Sequence, residues 1–317
     1  MIIKTKYSFF LKVFTLFIII LFVSCGKKTA TSLKAYEPPK PVESINAIRI
    51  EDYLLLSWKY PSIETKRLKH FILIIKSDDR DETIELSPFQ TEFRDNKIKE
   101  GNTYSYTLKT VNQKGTESLK STKIEAVICK MPDEIISLNY QISFDNLILY
   151  WEPPKKYDDC PQDLSYNIYK FDDINNPVPV ILNNVPIRDN KFIIPLELGY
   201  FTLRPVIQTE TLNIGRESNT IKISHDSLIP QTPKIITTFR NNNRIFILWQ
   251  EAKESWVKGY RIYKKESVQD RFYLVAEVLT PIFTEEVKNN GSFFYQITAF
   301  GPKRESSPSE TIRHDYY

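Results

Sequence analysis

Leu147-Ile148-Leu149-Tyr150-Trp151 is a short apolar run that ends in tryptophan, and two other segments of the chain repeat its pattern. Leu54–Trp58 precedes it by 93 residues and Ile245–Trp249 follows it by 98 residues, measured between the tryptophans. A repeat of about 95 residues has the length of a whole domain and exceeds the unit of a solenoid. The spacing therefore predicts three consecutive copies of one domain.

A second marker, a glycine followed by Glu-Ser, recurs after each tryptophan. Adjacent residues of a strand point to opposite faces, so we interpret Glu-Ser as a turn and strand-start feature and not as a catalytic pair. The three occurrences are Gly115 with Glu117-Ser118, Gly215 with Glu217-Ser218, and Gly301 with Glu305-Ser306.

The domain boundaries are predicted at proline-bearing junctions, because proline ends strand pairing. They place the first domain at residues 42–130, the second at 131–229 and the third at 230–317. Within each domain, short runs of β-branched and aromatic residues alternate with polar turns, which indicates an all-β sandwich. An aromatic content of 13% with only 8 glycines fits strands that pack large side chains into a small core.

The order of these motifs resembles the fibronectin type III domain. The resemblance rests on Trp58 followed by Pro61, on Gly259–Tyr263, and on Thr103–Tyr106 leading to a turn at Gly115. It implies tandem seven-stranded, two-sheet immunoglobulin-like sandwiches without a structural disulfide, used as spacers and binding modules.

Residue roles follow from that resemblance. Trp58, Trp151 and Trp249 would be the buried core tryptophans, and Tyr104 would be the corner tyrosine whose hydroxyl ties a loop to the sheet. The third copy has Phe293 in place of this tyrosine. In the second copy Pro205 interrupts a late strand, which we expect to be bulged or displaced.

The N-terminus has the features of an export signal. Lys4 and Lys6 precede the apolar stretch 9–23, and Phe22-Val23-Ser24-Cys25-Gly26 resembles the lipobox of bacterial lipoproteins. The resemblance implies a signal peptide over residues 1–24 and acylation of Cys25, including palmitate. The alternative is a cysteine that follows an ordinary signal by chance. Residues 25–41 are small, polar and proline-rich, which favours an extended tether.

Acylation at Cys25 predicts stable membrane attachment. The expected location is the cell envelope: the outer membrane of an organism with two membranes, and otherwise the outer leaflet of the cell membrane.

A net charge of +4 with interspersed signs argues against a nucleic-acid partner. Apart from Cys25, the sequence contains Cys129 and Cys160. Either these two form one disulfide, or Cys129 is a packed thiol and Cys160 a loop cysteine.

The search for chemistry yields no catalytic residues, no metal site and no cofactor. His70, His225 and His314 lie in different domains, without the spacing of a triad or a metal site. The acidic loops at 78–82 and 157–159 offer oxygen ligands for Ca²⁺, but we interpret them as solvated turns.

Trp256 is the one tryptophan outside the repeat. We expect it to form a contact surface with Tyr263 and Tyr169, whose side chains should face outward. The alternative is that Trp256 closes the end of its own sandwich.

The sequence thus favours a lipid-anchored, non-enzymatic scaffold or protein-interaction arm, whose partners are envelope or extracellular proteins. One alternative is a lipoprotein that binds carbohydrate, such as peptidoglycan or polysaccharide, through Trp256. A lesser alternative is an accessory factor in outer-membrane assembly, suggested by the Cys-Gly-Lys-Lys start with a nearby Pro-Pro.

Overall fold

The structure is a computed structural model that describes residues 36–132, 136–154 and 163–316. Cys25, Cys160 and the acidic loop at 157–159 lie outside these residues. Strands are the main regular structure of the described chain, which also has one single-turn α-helix, α1 (Ser62–Thr65), and one 3-10 turn at His225–Ser227. No helix among the described residues is long and apolar enough to cross a bilayer.

The described chain divides into two compact units. The first contains residues 36–46, 57–93 and 105–124; the second contains residues 47–56, 94–104 and the described residues from 125 onward. The first seven strands are β1 (Ile45–Ile50), β2 (Tyr53–Trp58), β3 (Leu68–Ser77), β4 (Arg80–Leu86), β5 (Glu92–Asp95), β6 (Thr103–Asn112) and β7 (Ile124–Val127).

The first unit is built around β3. This strand pairs antiparallel with β4, from Phe71 opposite Leu86 to Ser77 opposite Arg80, and with β6 on its other side. Its side chains alternate between buried and partly exposed, as period-two patterning requires. Trp58 is buried and meets the Phe71 ring edge-on, with the centroids 5.8 Å apart.

The second unit contains a sandwich made from the middle of the chain. One sheet has the order β12-β9-β8, and the other contains β11-β10-β13 with β15 on the free part of β13. Their inner faces form one apolar core around Trp151, which meets Tyr166 edge-on at 5.1 Å. The strands are β8 (Leu138–Ser143), β9 (Asn146–Trp151), β10 (Ser165–Phe171), β11 (Val180–Ile181), β12 (Lys191–Pro195), β13 (Gly199–Gln208), β14 (Leu212–Ile214) and β15 (Ile221–Ile223).

A further sandwich in the same unit repeats this plan with the sheets β16-β17-β20 and β19-β18-β21-β22. Ile245, Ile247 and Trp249 alternate inward along β17, and Trp249 meets Tyr260 edge-on at 5.1 Å. The fold class predicted from the sequence, all-β with tandem immunoglobulin-like sandwiches, is confirmed. The strands are β16 (Ile235–Asn241), β17 (Arg244–Trp249), β18 (Gly259–Lys265), β19 (Tyr273–Val278), β20 (Ile282–Glu286), β21 (Gly291–Phe300) and β22 (Ile312–Tyr316).

One strand pairing joins sheets that the sequence assigns to different domains. Residues 48–50 of β1 pair in parallel with residues 212–214 of β14, so that the order β11-β10-β13-β14-β1 is continuous. Arg49 is only 4% exposed, and it donates hydrogen bonds to the carbonyls of Glu51 and Cys129 and to the Glu100 carboxylate. These bonds satisfy a charge that would otherwise be costly to bury.

Pro205 does not displace its strand, contrary to the expectation from the sequence. β13 runs past it in unbroken register with β10, with Pro205 opposite Tyr166. The backbone N–H and C=O of Tyr166 bond to Ile187 instead, so this pair needs no bond from the proline nitrogen. Gly215 lies against the ring, since a Cβ there would come within 2.8 Å of Pro205 Cγ. Proline is tolerated because its missing N–H faces a position where no ladder bond is required.

Two other expectations need correction. The end of the predicted tether is docked, because the side chain of Thr110 and the phenol of Tyr60 both donate hydrogen bonds to the Lys40 carbonyl. Cys129 is disulfide-bonded, so it is not a packed thiol. The absence of a structural disulfide, which the family resemblance implied, is therefore wrong.

Tyr104 is buried, and its hydroxyl accepts the Lys99 backbone N–H at 3.0 Å. Phe293 is also buried and packs edge-on against Tyr316.

The repeated Glu-Ser pairs have a structural role in sheet pairing. In each copy the serine backbone N–H donates to a carbonyl of the preceding long strand, and its hydroxyl oxygen accepts an N–H from the same residue of that strand. The hydroxyl therefore replaces a backbone carbonyl three to six residues before the last strand begins. The serines and the strand residues they bond are Ser118 with Thr110, Ser218 with Leu203, and Ser306 with Ala299.

Ser306→Ala is expected to destabilise the chain by about 1–3 kcal/mol, because it leaves the buried N–H of Ala299 without an acceptor. Chemical denaturation of the full chain would measure the change in unfolding free energy. Ser307→Ala is the matched control, since Ser307 is exposed and should change stability by less than about 0.5 kcal/mol. Equal effects of the two substitutions would contradict the role given to the Ser306 hydroxyl.

Candidate functional site

A mainly apolar concave surface in the described part of the second unit lies on the outer face of the sheet that contains β10 and β13. We call it the β10–β13 groove; it has a volume of about 520 Å³. It lies outside the core, over the part of the sheet that β14 and β1 extend. The groove is lined by Ile50, Tyr169, Phe171, Ile174, Pro177, Pro179, Thr202, Arg204, Ile214, Glu217 and Thr220.

Strand alternation determines which side chains line the groove. Tyr166 and Ile168 of β10 point into the core, so Tyr169 and Phe171 lie on the opposite face or toward the strand end. Tyr169 is opposite Thr202 on β13, and Phe171 is opposite Tyr200, whose ring stacks on it at 5.5 Å with a 9° interplanar angle. The sheet backbone holds these rings in fixed positions, which gives a rigid apolar floor.

One end of the groove is charged. Arg204 donates hydrogen bonds to Glu51 at 2.7 Å and to Glu217 at 2.8 Å. Burial alone would lower the pKa of Arg204, but the hydrogen bonds and negative charges of Glu51 and Glu217 raise it above its usual value. The network of Arg204 with these two carboxylates has a net negative charge; Arg204 and Glu217 line the groove, and Glu51 lies outside its lining.

The other end has exposed apolar side chains. Ile174 is 50% exposed on the loop that also carries Pro177 and Pro179. Beside it, the edge strand β11 presents Val180 and Ile181, which are 60% and 50% exposed. The sequence analysis missed these residues, although a proline-bearing apolar loop between two strands was a visible signal. Ile50 could not be found in this way, because it reaches the groove only through the pairing of β1 with β14.

Tyr169, Tyr263 and Trp256, which were predicted to form one contact surface, have different surroundings in the structure. Tyr169 lines the groove. Tyr263 is only partly exposed, and its hydroxyl donates to Glu305 at 2.7 Å, beside the Arg261 guanidinium that also bonds Glu305 at 2.8 Å. Burial and then the bond to Glu305 raise the pKa of the Tyr263 phenol. Tyr263 therefore takes part in an ion-pair network on its own sheet.

Trp256 is held by contacts to the preceding sandwich and to its own. Its indole N–H donates to the Phe144 carbonyl at 3.2 Å, and the neighbouring Ser255 bonds Asp145. A Cβ at Gly301 would come within 3.0 Å of the ring, so glycine is needed for this packing. The sequence left two alternatives for Trp256: a residue of a contact surface, or one that closes the end of its own sandwich. Its contacts place it at a junction between two sandwiches.

The acidic turn at 78–82 and His314 lie in contacts within the described chain. No cluster of three His, Cys, Asp or Glu side chains suited to a metal occurs among the described residues. In the acidic turn at 78–82, Asp81 pairs with Lys76 at 2.9 Å and Glu82 with Arg80 at 2.7 Å. His314 lies against Thr238, and burial lowers its pKa below the usual value. These are structural contacts of strands and turns.

Comparison with known proteins gives a likeness in solved structures only. No family model and no curated protein matches the sequence. Among solved structures, the FN1–FN3 domains of chicken CNTN1 are similar at 16% identity over 88% of this chain and 99% of that chain, with a TM-score of 0.25. The strand pairing described above, and not this superposition, defines the fold.

Proposed function

We propose that this chain is a non-catalytic, lipid-anchored protein of the cell envelope whose β-sandwiches act as a protein-interaction arm. The observation that supports the proposal most directly is the β10–β13 groove, an apolar surface held rigid by a sheet and left uncovered in the described chain. Exposed apolar surface of this kind marks interaction sites in soluble domains. Acylation of Cys25 supplies the attachment.

The shape and chemistry of the groove suit an extended segment of a partner protein. Rings and prolines line its length, which favours a narrow apolar ligand over a flat protein face. Glu51 and Glu217 at one end favour a basic residue at the corresponding end of the segment. The glycan alternative rested on Trp256, whose indole N–H is already bonded to Phe144. The assembly-factor alternative gains no supporting contact from the described residues.

A photo-crosslinking amino acid placed at Tyr169 tests the groove on intact cells. We expect it to form an adduct with one envelope protein, and we expect Ile174→Glu to remove most of that adduct, because it puts a charge into the apolar wall. Val185→Glu is the matched control: Val185 is 72% exposed and does not line the groove. An adduct that survives Ile174→Glu unchanged, or no adduct at all, would contradict this assignment.

A further inference from the structure

Three connections meet at one end of the first unit, and we call this the loop end: residues 59–67, 87–91 and 112–117. Hydrogen bonds hold them together. The Trp58 N–H donates to the Thr91 carbonyl at 2.9 Å. The Gln113 backbone N–H donates to Arg67 at 3.3 Å, and its side-chain amide donates to the Leu68 carbonyl at 2.6 Å. The loop end is thus one bonded surface.

The segment that leads to Cys25 is attached at this same end. Tyr60 and Thr110 bond the Lys40 carbonyl at 3.0 and 2.8 Å, and the Asn112 side chain donates to the Glu37 carbonyl at 3.1 Å. Tyr36 is only 11 residues after Cys25 in the sequence. A fully extended chain of that length spans at most about 40 Å. The loop end therefore lies close to whatever Cys25 is attached to.

Two large apolar side chains project from the loop end into solvent. Ile63, on α1, is 79% exposed, and Phe89, in the neighbouring connection, is 76% exposed. A single exposed apolar residue needs no explanation. Here two of the most exposed apolar side chains of the described chain lie on adjacent loops, at the end nearest the predicted anchor.

The loop end also carries exposed basic side chains. Arg67 is 64% exposed, and Lys66 and Lys114 are also exposed. Together with the docked segment 36–40, the loop end has five basic residues and three acidic ones, which leaves a net charge of +2. The basic residues are Lys40, Lys59, Lys66, Arg67 and Lys114, and the acidic ones are Glu37, Glu64 and Glu117.

We propose that the loop end contacts the surface of the membrane that holds the Cys25 lipid, with Ile63 and Phe89 entering the interface and the basic side chains pairing with anionic headgroups. Exposed apolar side chains together with basic side chains on one surface are the features that bind proteins to an anionic bilayer surface. The placement of this contact rests on the proposed lipid anchor. Bilayer binding by the loop end itself does not require the acyl chain.

Vesicle sedimentation with the full mature chain carrying Cys25→Ala tests this contact without the lipid. We expect binding to vesicles of phosphatidylethanolamine and phosphatidylglycerol, and little binding to phosphatidylcholine vesicles. Removing two basic residues with Lys66→Gln and Arg67→Gln should weaken the binding roughly 30-fold, from about 1 kcal/mol for each. Ile63→Ser with Phe89→Ser should weaken it as well. Leu279→Ser is the matched control, because Leu279 is 82% exposed in the last sandwich.

Membrane entry can be detected separately with Phe89→Trp in the same chain. Because the chain already contains four tryptophans, quenching is compared with that of the parent chain. Phe89→Trp should increase the fraction of fluorescence quenched by brominated anionic lipids, whereas Leu279→Trp should not. Equal binding to anionic and neutral vesicles, unchanged binding of the loop-end variants, or equal quenching at both positions would overturn the proposal. Loss of acylation at Cys25 would leave these outcomes unaffected, so a failure of the anchor can be told apart from a failure of the contact.

Discussion

Replacing Trp249 with alanine is expected to lower the unfolding free energy of the last sandwich by about 3–5 kcal/mol. Trp249 is 1% exposed and lies among the inward residues of both sheets, with its ring edge-on to Tyr260. Removing the indole deletes the largest apolar side chain of this core and leaves a cavity. Calorimetry of the full chain should show one transition moved to lower temperature.

Trp256→Ala is the matched control for that substitution. It removes the same indole from a partly exposed position and breaks one hydrogen bond, to Phe144. We expect it to cost well under half as much as Trp249→Ala. If Trp249→Ala costs less than about 1 kcal/mol, the core of the last sandwich does not depend on its tryptophan, and the structural role of the repeated marker is wrong.

Cys25→Ala is expected to abolish acylation completely and to replace firm membrane attachment by loop-end binding that a high-salt wash removes. The thioether bond needs the thiol, and stable anchoring needs more than one acyl chain. Metabolic labelling with a clickable fatty-acid analogue, followed by fractionation of the cells, measures both effects. Cys160→Ala is the control and should keep the label. A labelled protein in the Cys25→Ala strain would disprove the anchor.

The repeated tryptophans predict much of the fold because each ends an alternating strand whose inward face is apolar. The burial of Trp249 was expected from the resemblance to the fibronectin type III domain, and Trp249 is buried with Ile245 and Ile247 of the same strand. Glu-Ser was correctly interpreted as a feature of strand starts. The serine hydroxyl takes the place of a backbone carbonyl, and this role could be recognised only once the strand that it bonds was known.

Other features depend on contacts far apart in the sequence and could not be predicted from local patterns. Pro205 breaks a rule for strands, and only its pairing partner shows why the position is permitted. The docking of residues 37–40 depends on side chains of β6 some 70 residues later. The pairing of β1 with β14 joins residues more than 160 positions apart.

The candidate site was predicted in part. Tyr169 was selected because period two turns it away from the core, and it lines the groove. Trp256 was selected because it lies outside the repeat, but this criterion does not distinguish a binding residue from one that packs at a junction. Arg204 and Ile50 have no local signal, since their place in the groove depends on tertiary contacts.

The parallel pairing of β1 with β14 has a mechanical consequence if the chain is anchored at one end, as proposed above. Tension applied between the start of β1 and the chain beyond β14 acts along both strands, because they run in the same direction. The three residue pairs around Arg49 and Asn213 must then slide together, whereas a perpendicular pull would separate them one at a time. This geometry makes the pairing resistant to stretching along the strands.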